Sequence, residues 1–225
     1  MRNLCRSSIV ALAIGVGVIS VPGPAVAEGS PSRVGIGGGM GVSYVNANDV
    51  AEFVSAVTLE RVEDFKTAVE FFGDVDVPLS GRWTLKLEYA YLLGGYAVSG
   101  RLGRGEFTIK IHMPTVVAQY ALAQEPLYNF RLGAGVGYHI GTLSTQYSTL
   151  DDAFTGSGPG FKLDLEGNTA LGEDLFARLG VDVRWDFIGD LKNAAGYTPQ
   201  APQDTPSPTL FFFGVGAKLG MTWYF

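Results

Sequence analysis

The chain has few of the features that mark common protein classes: it has one cysteine among 225 residues, and only 17% of its residues are charged. Past residue 30 it also has no long apolar run, because charges and glycines interrupt every stretch before it reaches the roughly 18 residues of a transmembrane helix. The mean hydropathy is nevertheless +0.19, which is high for a soluble domain. The 31 glycines disfavour helices. We therefore expect strands that form either a large soluble core or a lipid-facing surface.

The first 27 residues predict a signal peptide. Arg2 and Arg6 precede a short apolar stretch at residues 8–21, and a Pro-Gly-Pro segment then leads to a small-x-small exit ending at Ala27. A membrane anchor would need a longer apolar core without those prolines. Cys5 is far from the exit, which disfavours a lipoprotein attachment site. The expected division is a signal peptide at 1–27 and one β-barrel at 28–225.

The charge balance and the rarity of cysteine exclude several functions. Removing Arg2 and Arg6 from the 16 basic residues leaves 14 against 22 acidic residues, a net charge of −8. Nucleic acid is therefore not an expected partner, because it requires a basic surface. Residues 28–225 contain no cysteine for a disulfide. Two histidines without cysteines or a spaced carboxylate cluster predict no metal site, and no motif indicates a cofactor.

Apolar residues alternate with polar ones along eight segments, and this period of two is typical of strands with two different faces. In the last segment Phe211, Phe213 and Val215 lie on one face, whereas Gly214 and Gly216 lie on the other. The predicted strands are residues 33–45, 67–79, 82–97, 106–122, 127–141, 159–171, 174–188 and 209–225.

The opposite faces of these strands carry seven acidic and seven basic residues. They are Asp74, Asp76, Lys86, Glu88, Lys110, Arg131, Lys162, Asp164, Glu166, Arg178, Asp182, Arg184, Asp186 and Lys218. This balance favours charges inside and apolar residues outside, which is the pattern of a transmembrane barrel. We therefore predict an eight-stranded antiparallel up-and-down barrel whose lumen is filled by salt bridges, since isolated buried charges are costly. Glycines in the first, fifth and last strands leave room for long Lys and Arg side chains, or less readily for a small ligand.

Short and long connections alternate along the chain. In transmembrane barrels the short turns face the periplasm and the long loops face outside. Long loops are expected at residues 46–66, 98–105, 142–158 and 189–208. The first contains a helical pattern in Val50, Phe53, Val54 and Val57, with Asp49 as a candidate cap. We predict a short helix there that covers the barrel mouth or contacts a partner or lipid headgroups.

Pro114 interrupts the fourth predicted strand. Phe107, Ile109, Ile111 and Met113 precede it on the face assigned to lipid, whereas the apolar residues after it lie at even positions. Because proline removes a donor from the ladder, we expect a β-bulge or a local opening of the wall at this residue. A lateral opening would resemble the passage of hydrophobic molecules through the barrel wall in OmpW-type proteins.

The chain ends in Lys218-x-Gly220-x-x-Trp223-x-Phe225, which resembles the terminal signal of Gram-negative outer-membrane proteins. That resemblance implies that the barrel assembly machinery recognises the last strand. With eight strands and no added domain, the chain resembles the small OmpA-barrel and OmpX-type proteins. The resemblance implies an outer-membrane location, contact with outer-membrane lipids and lipopolysaccharide, and a monomer.

Function is open on the sequence, because fold alone does not fix it. The first hypothesis is a non-enzymatic barrel with a structural or surface-interaction role. The alternative is a narrow pore, or a conduit for small hydrophobic molecules. A third is a lipid A-modifying enzyme, since His112 and His139 are assigned to the lumen and Ser144, Asp151 and Asp152 follow His139. Nothing in the sequence fixes the mutual geometry that nucleophilic catalysis requires.

Overall fold

The computed structural model describes residues 33–58, 67–100, 103–147, 150–200 and 207–225, so the predicted signal peptide lies outside the described residues. Eight strands and one helix follow one another in the order β1, α1, β2 to β8. The strands are β1 Gly35–Asn46, β2 Thr67–Pro78, β3 Trp83–Gly100, β4 Gly103–Gln124, β5 Tyr128–Tyr147, β6 Leu150–Ala170, β7 Leu175–Ile188 and β8 Leu210–Tyr224, and the helix α1 is Asn48–Thr58.

The strands form one closed barrel in which each pairs antiparallel with its sequence neighbours and β1 pairs with β8. Apolar side chains point outward and charged ones inward: Leu87 is 46% exposed, whereas the next residue, Glu88, is 6% exposed. The eight-stranded antiparallel barrel predicted from the alternation is confirmed. Its turn end carries the short connections around Gly81, Pro126 and Gly172, and its loop end carries α1.

The two hairpins β3–β4 and β5–β6 are much taller than the sequence suggested. Residues 98–105 and 142–158, expected to be long loops, are mostly strand. Among the described residues β2 pairs with β3 only up to Leu93, and β7 pairs with β6 only up to Gly160. Residues 94–100, 103–111, 141–147 and 150–157 therefore rise beyond the remaining strands as a four-stranded sheet, which we call the tower.

β4 keeps one face towards the barrel interior along its whole length, so the register shift expected at Pro114 is wrong. Met113 and Val117 on either side of it are both buried, and Pro114 itself is exposed. Pairing with β5 skips Met113 and Pro114 but resumes at Thr115 in the same register. The irregularity of this strand lies instead between Ala121 and Ala123.

The apolar residues at the start of β4 therefore face inward rather than towards lipid. Phe107, Ile109 and Ile111 are 1%, 2% and 0% exposed. The physical reason is the height of the tower: its exterior meets water, so apolar side chains are most stable inside it. The exterior of the same segment is polar, with Arg104, Glu106, Thr108 and Lys110.

α1 closes the loop end of the barrel, where the first-loop helix was predicted. Val50 and Val54 are fully buried, and Phe53 is 3% exposed. They pack in one apolar cluster with tower residues such as Phe107 and Leu143, and we call this region the chamber. Asp49 lies within the first turn of α1 rather than before it, so the prediction that it caps the helix is wrong. Its carboxylate instead accepts a hydrogen bond from the Thr209 hydroxyl at 2.5 Å, which ties α1 to the start of β8. No helix in the described parts of the chain is long and apolar enough to cross a membrane.

Candidate functional site

The lumen below the chamber holds a dense set of buried charges, which is the candidate site that the sequence indicated. Thirteen of the fourteen predicted residues lie there and are buried. They are Asp74, Asp76, Lys86, Glu88, Arg131, Lys162, Asp164, Glu166, Arg178, Asp182, Arg184, Asp186 and Lys218. They belong to β2, β3 and β5 to β8, so their inward positions follow from the period-two alternation of those strands.

Two residues change the predicted set. Lys110 is exposed, because it lies on the outward face of β4 in the tower, and it is not part of the lumen. Glu70 is 0% exposed and accepts a hydrogen bond from Ser43 at 3.1 Å. Its position could have been found, since it shares the even-numbered face of β2 with Asp74 and Asp76.

The ion pairs among the described residues divide into two groups. The turn-side cluster consists of Asp74, Asp76, Lys86, Arg131, Asp164, Glu166 and Arg178. Arg178 is its centre, with nitrogens 2.5 Å from Asp74, 3.4 Å from Asp76 and 3.3 Å from Glu166. Arg131 reaches Asp76 at 2.8 Å and donates to the Tyr224 hydroxyl at 3.0 Å, which ties β5 to the last strand.

The loop-side cluster lies between the turn-side cluster and the chamber. It consists of Glu70, Glu88, His139, Lys162, Asp182, Arg184, Asp186 and Lys218. The Lys218 ammonium contacts three carboxylates, at 2.5 Å in Glu70, 3.0 Å in Asp182 and 3.2 Å in Glu88. Every cation in it shares its carboxylates with another cation, so the cluster acts as a unit.

The revised set is not balanced in the way the sequence suggested. Exchanging Lys110 for Glu70 leaves eight carboxylates and six Lys or Arg side chains among the buried described residues. Nδ1 of His139 contacts the carboxylate of Asp186, and His139 is only 2% exposed. A protonated His139 would thus supply a seventh positive charge inside the barrel.

Glycines provide the space that these side chains occupy. A Cβ on Gly133 would lie 1.9 Å from Oδ1 of Asp164, and one on Gly216 would lie 2.3 Å from Oδ1 of Asp182. A Cβ on Gly160 would overlap the His139 ring at 2.0 Å. The space left by these glycines is therefore occupied by carboxylates and a histidine, and not only by the long Lys and Arg side chains expected from the sequence.

Little free volume remains between the charged groups. A gap lined by residues of both clusters and a gap around the loop-side cluster each have a volume of about 10 Å³. That is about the volume that one water molecule requires. The described side chains therefore fill the lumen at this level.

The catalytic set considered on the sequence is not assembled. His112 lies on the outward face of β4, where the Tyr89 hydroxyl meets its Nδ1 at 2.6 Å, so its assignment to the lumen is wrong. Ser144 lies on β5 opposite Ala153, on the face opposite to that of His139. His139 instead has Thr115 Oγ1 3.4 Å from its Nε2, with Asp186 at Nδ1. This hydroxyl–imidazole–carboxylate arrangement has the order of a catalytic triad, but the adjoining gap of about 10 Å³ has no room for a substrate.

The C-terminal residues that resemble an assembly signal divide between the two faces of β8. Lys218 is in the loop-side cluster, whereas Trp223 and Phe225 are 50% and 65% exposed on the outer surface. Gly220 lies near the Phe72 ring, where a Cβ would approach to 2.9 Å.

The chain is similar to known proteins in fold, but no sequence match was found. No protein-family model matches the chain, and no curated protein matches it in sequence. Its fold is similar to that of Neisserial surface protein A (TM-score 0.54, 10% identity, covering 85% of this chain and 97% of that one). It is also similar to OprG of Pseudomonas aeruginosa (TM-score 0.51, 15% identity, 89% and 99% covered) and to Ail of Yersinia pestis (0.50, 9% identity, 87% and 100% covered). The exposed apolar belt, the closed eight-stranded sheet and these shared folds make the chain a small β-barrel of the outer membrane.

Proposed function

We propose that the chain is a non-enzymatic outer-membrane barrel that closes its own lumen and uses the tower and loops for contacts at the cell surface. The observation that carries this proposal is the filled lumen. The two charged clusters stack along the barrel axis, and the two gaps among their described residues each have a volume of only about 10 Å³. The loop end is separately closed by α1 and the apolar chamber.

The same observation argues against an enzyme. Thr115, His139 and Asp186 are all buried below the chamber, and substrate would have to displace the ion pairs around them. Hydrolytic catalysis also requires room for a tetrahedral intermediate and donors for its oxyanion. The arrangement supports a structural role for His139, which pairs with Asp186.

Single-channel recording on the refolded protein in planar bilayers tests the closed lumen. We expect no stepwise conductance from the wild-type barrel. A Glu88→Ala/Lys162→Ala variant removes the 2.5 Å ion pair between these residues, together with the pairs that they form with Lys218 and Asp182. It leaves the net charge unchanged, and it should show small steps. Steady wild-type channels with the size of an open pore would contradict the proposal.

A second candidate is a binding site for small hydrophobic molecules, which the chamber favours. A cavity of about 50 Å³ lies among apolar and polar side chains, and its lining is Phe53, Val57, Phe107, Thr145, Asp152, Phe154, Pro199 and Gln200. A conduit, however, needs an exit, and the charged clusters block the axis beneath the chamber. The wall at Pro114 is also closed, because its carbonyl oxygen would lie 2.4 Å from a Cβ on Gly137.

Transport separates the two candidates. Uptake of 1-naphthol into vesicles containing the protein should match uptake into empty vesicles if the barrel is only a surface protein. Faster uptake that is lost in Val57→Trp, which fills the cavity, would favour the conduit instead.

We retain three further parts of the proposal from the sequence. The barrel assembly machinery recognises β8 through Lys218, Gly220, Trp223 and Phe225. The barrel acts as a monomer, and the surrounding lipids and lipopolysaccharide are its main contacts. Its acidic surface does not bind nucleic acid.

A further inference from the structure

A groove runs along the lipid-facing surface of the barrel, over β3 to β7. It has a volume of about 480 Å³, and its lining is almost entirely apolar. Two alanines make its floor, because Ala118 pairs directly with Ala134 between the larger Leu85 and Leu163. Phe161 and Trp185 form a side wall towards the loop end.

The groove lies near the middle of the membrane. Along β4 the segment from Leu122 to His112 has 11 residues, and a tilted strand needs about 9–11 to cross a bilayer. Aromatic residues mark both limits: Trp83 and Tyr120 pack at 5.1 Å at the turn end, and Tyr91 packs on His112 at 4.9 Å at the loop end. Val116, which lines the groove, falls midway between Tyr120 and His112, and Ala118 lies two residues from it towards the turn end.

The groove is closed at one end and open at the other. The Trp83–Tyr120 pair lies one outward position below Leu85 and Ala118 and closes the turn end. Towards the loop end the outward positions become polar, with a Tyr138 hydroxyl 2.9 Å from Ser157 Oγ and a Tyr89 hydroxyl at His112. A molecule in the groove would thus have its apolar end at mid-membrane and its polar end at the outer surface.

A cation lies at that outer end. Lys110 is exposed on β4, two residues above His112, and it forms no ion pair with any residue that the structure describes. Its partners across the strands are the apolar Leu93 and the neutral Thr142. The nearest acidic side chain along the strand, Glu106, is paired with Arg104 at 3.1 Å.

We propose that this face is a binding site for one lipid of the outer leaflet, with an acyl chain in the groove and a phosphate group at Lys110. From Ala118 to Lys110 the strand rises roughly 26 Å, or about 20 Å along the membrane normal when it is tilted by about 40°. That height matches one leaflet of about 15 Å of hydrocarbon plus the headgroup. The class of ligand is a lipid with a phosphorylated headgroup, as in lipid A. The proposal does not depend on whether the lumen conducts.

Trp185 lines the groove and gives a direct probe. In a variant that keeps only this tryptophan (Trp83→Phe/Trp223→Phe), brominated phosphatidylcholine should quench its fluorescence. Diphosphoryl lipid A should relieve this quenching more than its mole fraction predicts. The dephosphorylated lipid should relieve the quenching less. Lys110→Gln should lower the relative affinity of the phosphorylated lipid about fivefold, because one basic residue near a membrane surface contributes about that much to the binding of an anionic lipid.

Matched variants distinguish the groove from the general surface. Ala134→Leu fills the floor and should abolish the preference, whereas Ala217→Leu, on the lipid face of β8, should leave it unchanged. Lys192→Gln, an exposed lysine outside the groove, should have no effect and controls for Lys110→Gln. A relative affinity of one for both lipids would overturn the proposal. A second result would also overturn the proposal: protection of Trp185 from quenching that increases with the protein density in the vesicles and is lost in Ala134→Leu. That result would mean that a second copy of the chain occupies the groove.

Discussion

Nδ1 of His139 contacts the carboxylate of Asp186 at the level where the charged lumen gives way to the apolar chamber. Both side chains are buried, at 2% and 0% exposure. This pair links β5 to β7 inside the barrel, and Asp186 also faces Arg184.

Replacing His139 with Leu should therefore destabilise the barrel. Asp186 would keep only Arg184, whose Nε lies 3.5 Å away. Leaving the carboxylate short of a partner should lower the free energy of unfolding by about 1–3 kcal/mol. Urea titrations of the refolded protein in lipid vesicles measure this loss. The double variant His139→Leu/Asp186→Asn is the control and should recover part of it; a double variant less stable than His139→Leu would contradict a pairwise role.

Lys218 and Lys110 should differ sharply when each is changed to Met. Lys218 contacts three buried carboxylates, so its loss should lower the free energy of unfolding by about 3–5 kcal/mol. Lys110 is exposed, and its replacement should change stability by less than about 0.5 kcal/mol. Equal losses of stability in the two variants would indicate that Lys110 lies in the lumen after all.

The lipid-facing belt predicts the cost of an outward charge. Leu87 lies on the outer surface within the membrane, and Leu87→Arg should lower stability by about 2–4 kcal/mol. Thr108→Arg, on the outer surface of the tower, should cost almost nothing, because water surrounds that segment. Both are measured by urea titration in vesicles, and a similar cost at Thr108 would place the tower inside the bilayer.

Two neighbours on β4 test which way the tower faces. Ile109 is 2% exposed in the chamber, so Ile109→Ala should lower stability by about 2–5 kcal/mol. Thr108→Ala should lie within about 0.5 kcal/mol of wild type. Limited proteolysis of intact cells gives a second readout, since a loosened chamber should expose the loop end to cleavage. A mild effect of Ile109→Ala would support the outward orientation that the sequence suggested.

The strands that cross the membrane were readily predicted, because one alternation runs through each of them. Val181 and Asp182 illustrate this: one is 51% exposed and the next is 2% exposed. Glu70 was not predicted, although its even position on β2 places it on the same face as Asp74 and Asp76. Its partners Arg184 and Lys218 are more than 100 residues away, at separations of 114 and 148, which no local pattern reveals.

In the tower, the alternation predicted the wrong orientation of the side chains. Phe107 to Met113 alternate as regularly as lipid-facing residues do, and the pattern alone does not say whether lipid or water lies outside. The signal that resolves it is the opposite face: Arg104, Glu106 and Lys110 could not all fit inside a lumen that narrow. A rule that every apolar face meets lipid therefore fails wherever a strand extends beyond the membrane.

The tower also affects how the barrel enters the membrane. Its outer surface carries Arg104, Glu106 and Lys110, and these must pass through the hydrocarbon before reaching the far side. Each basic residue at the bilayer centre costs about 2.5–3.5 kcal/mol, so this passage raises the barrier to spontaneous insertion. A catalyst that thins or opens the bilayer should therefore accelerate the insertion of this barrel.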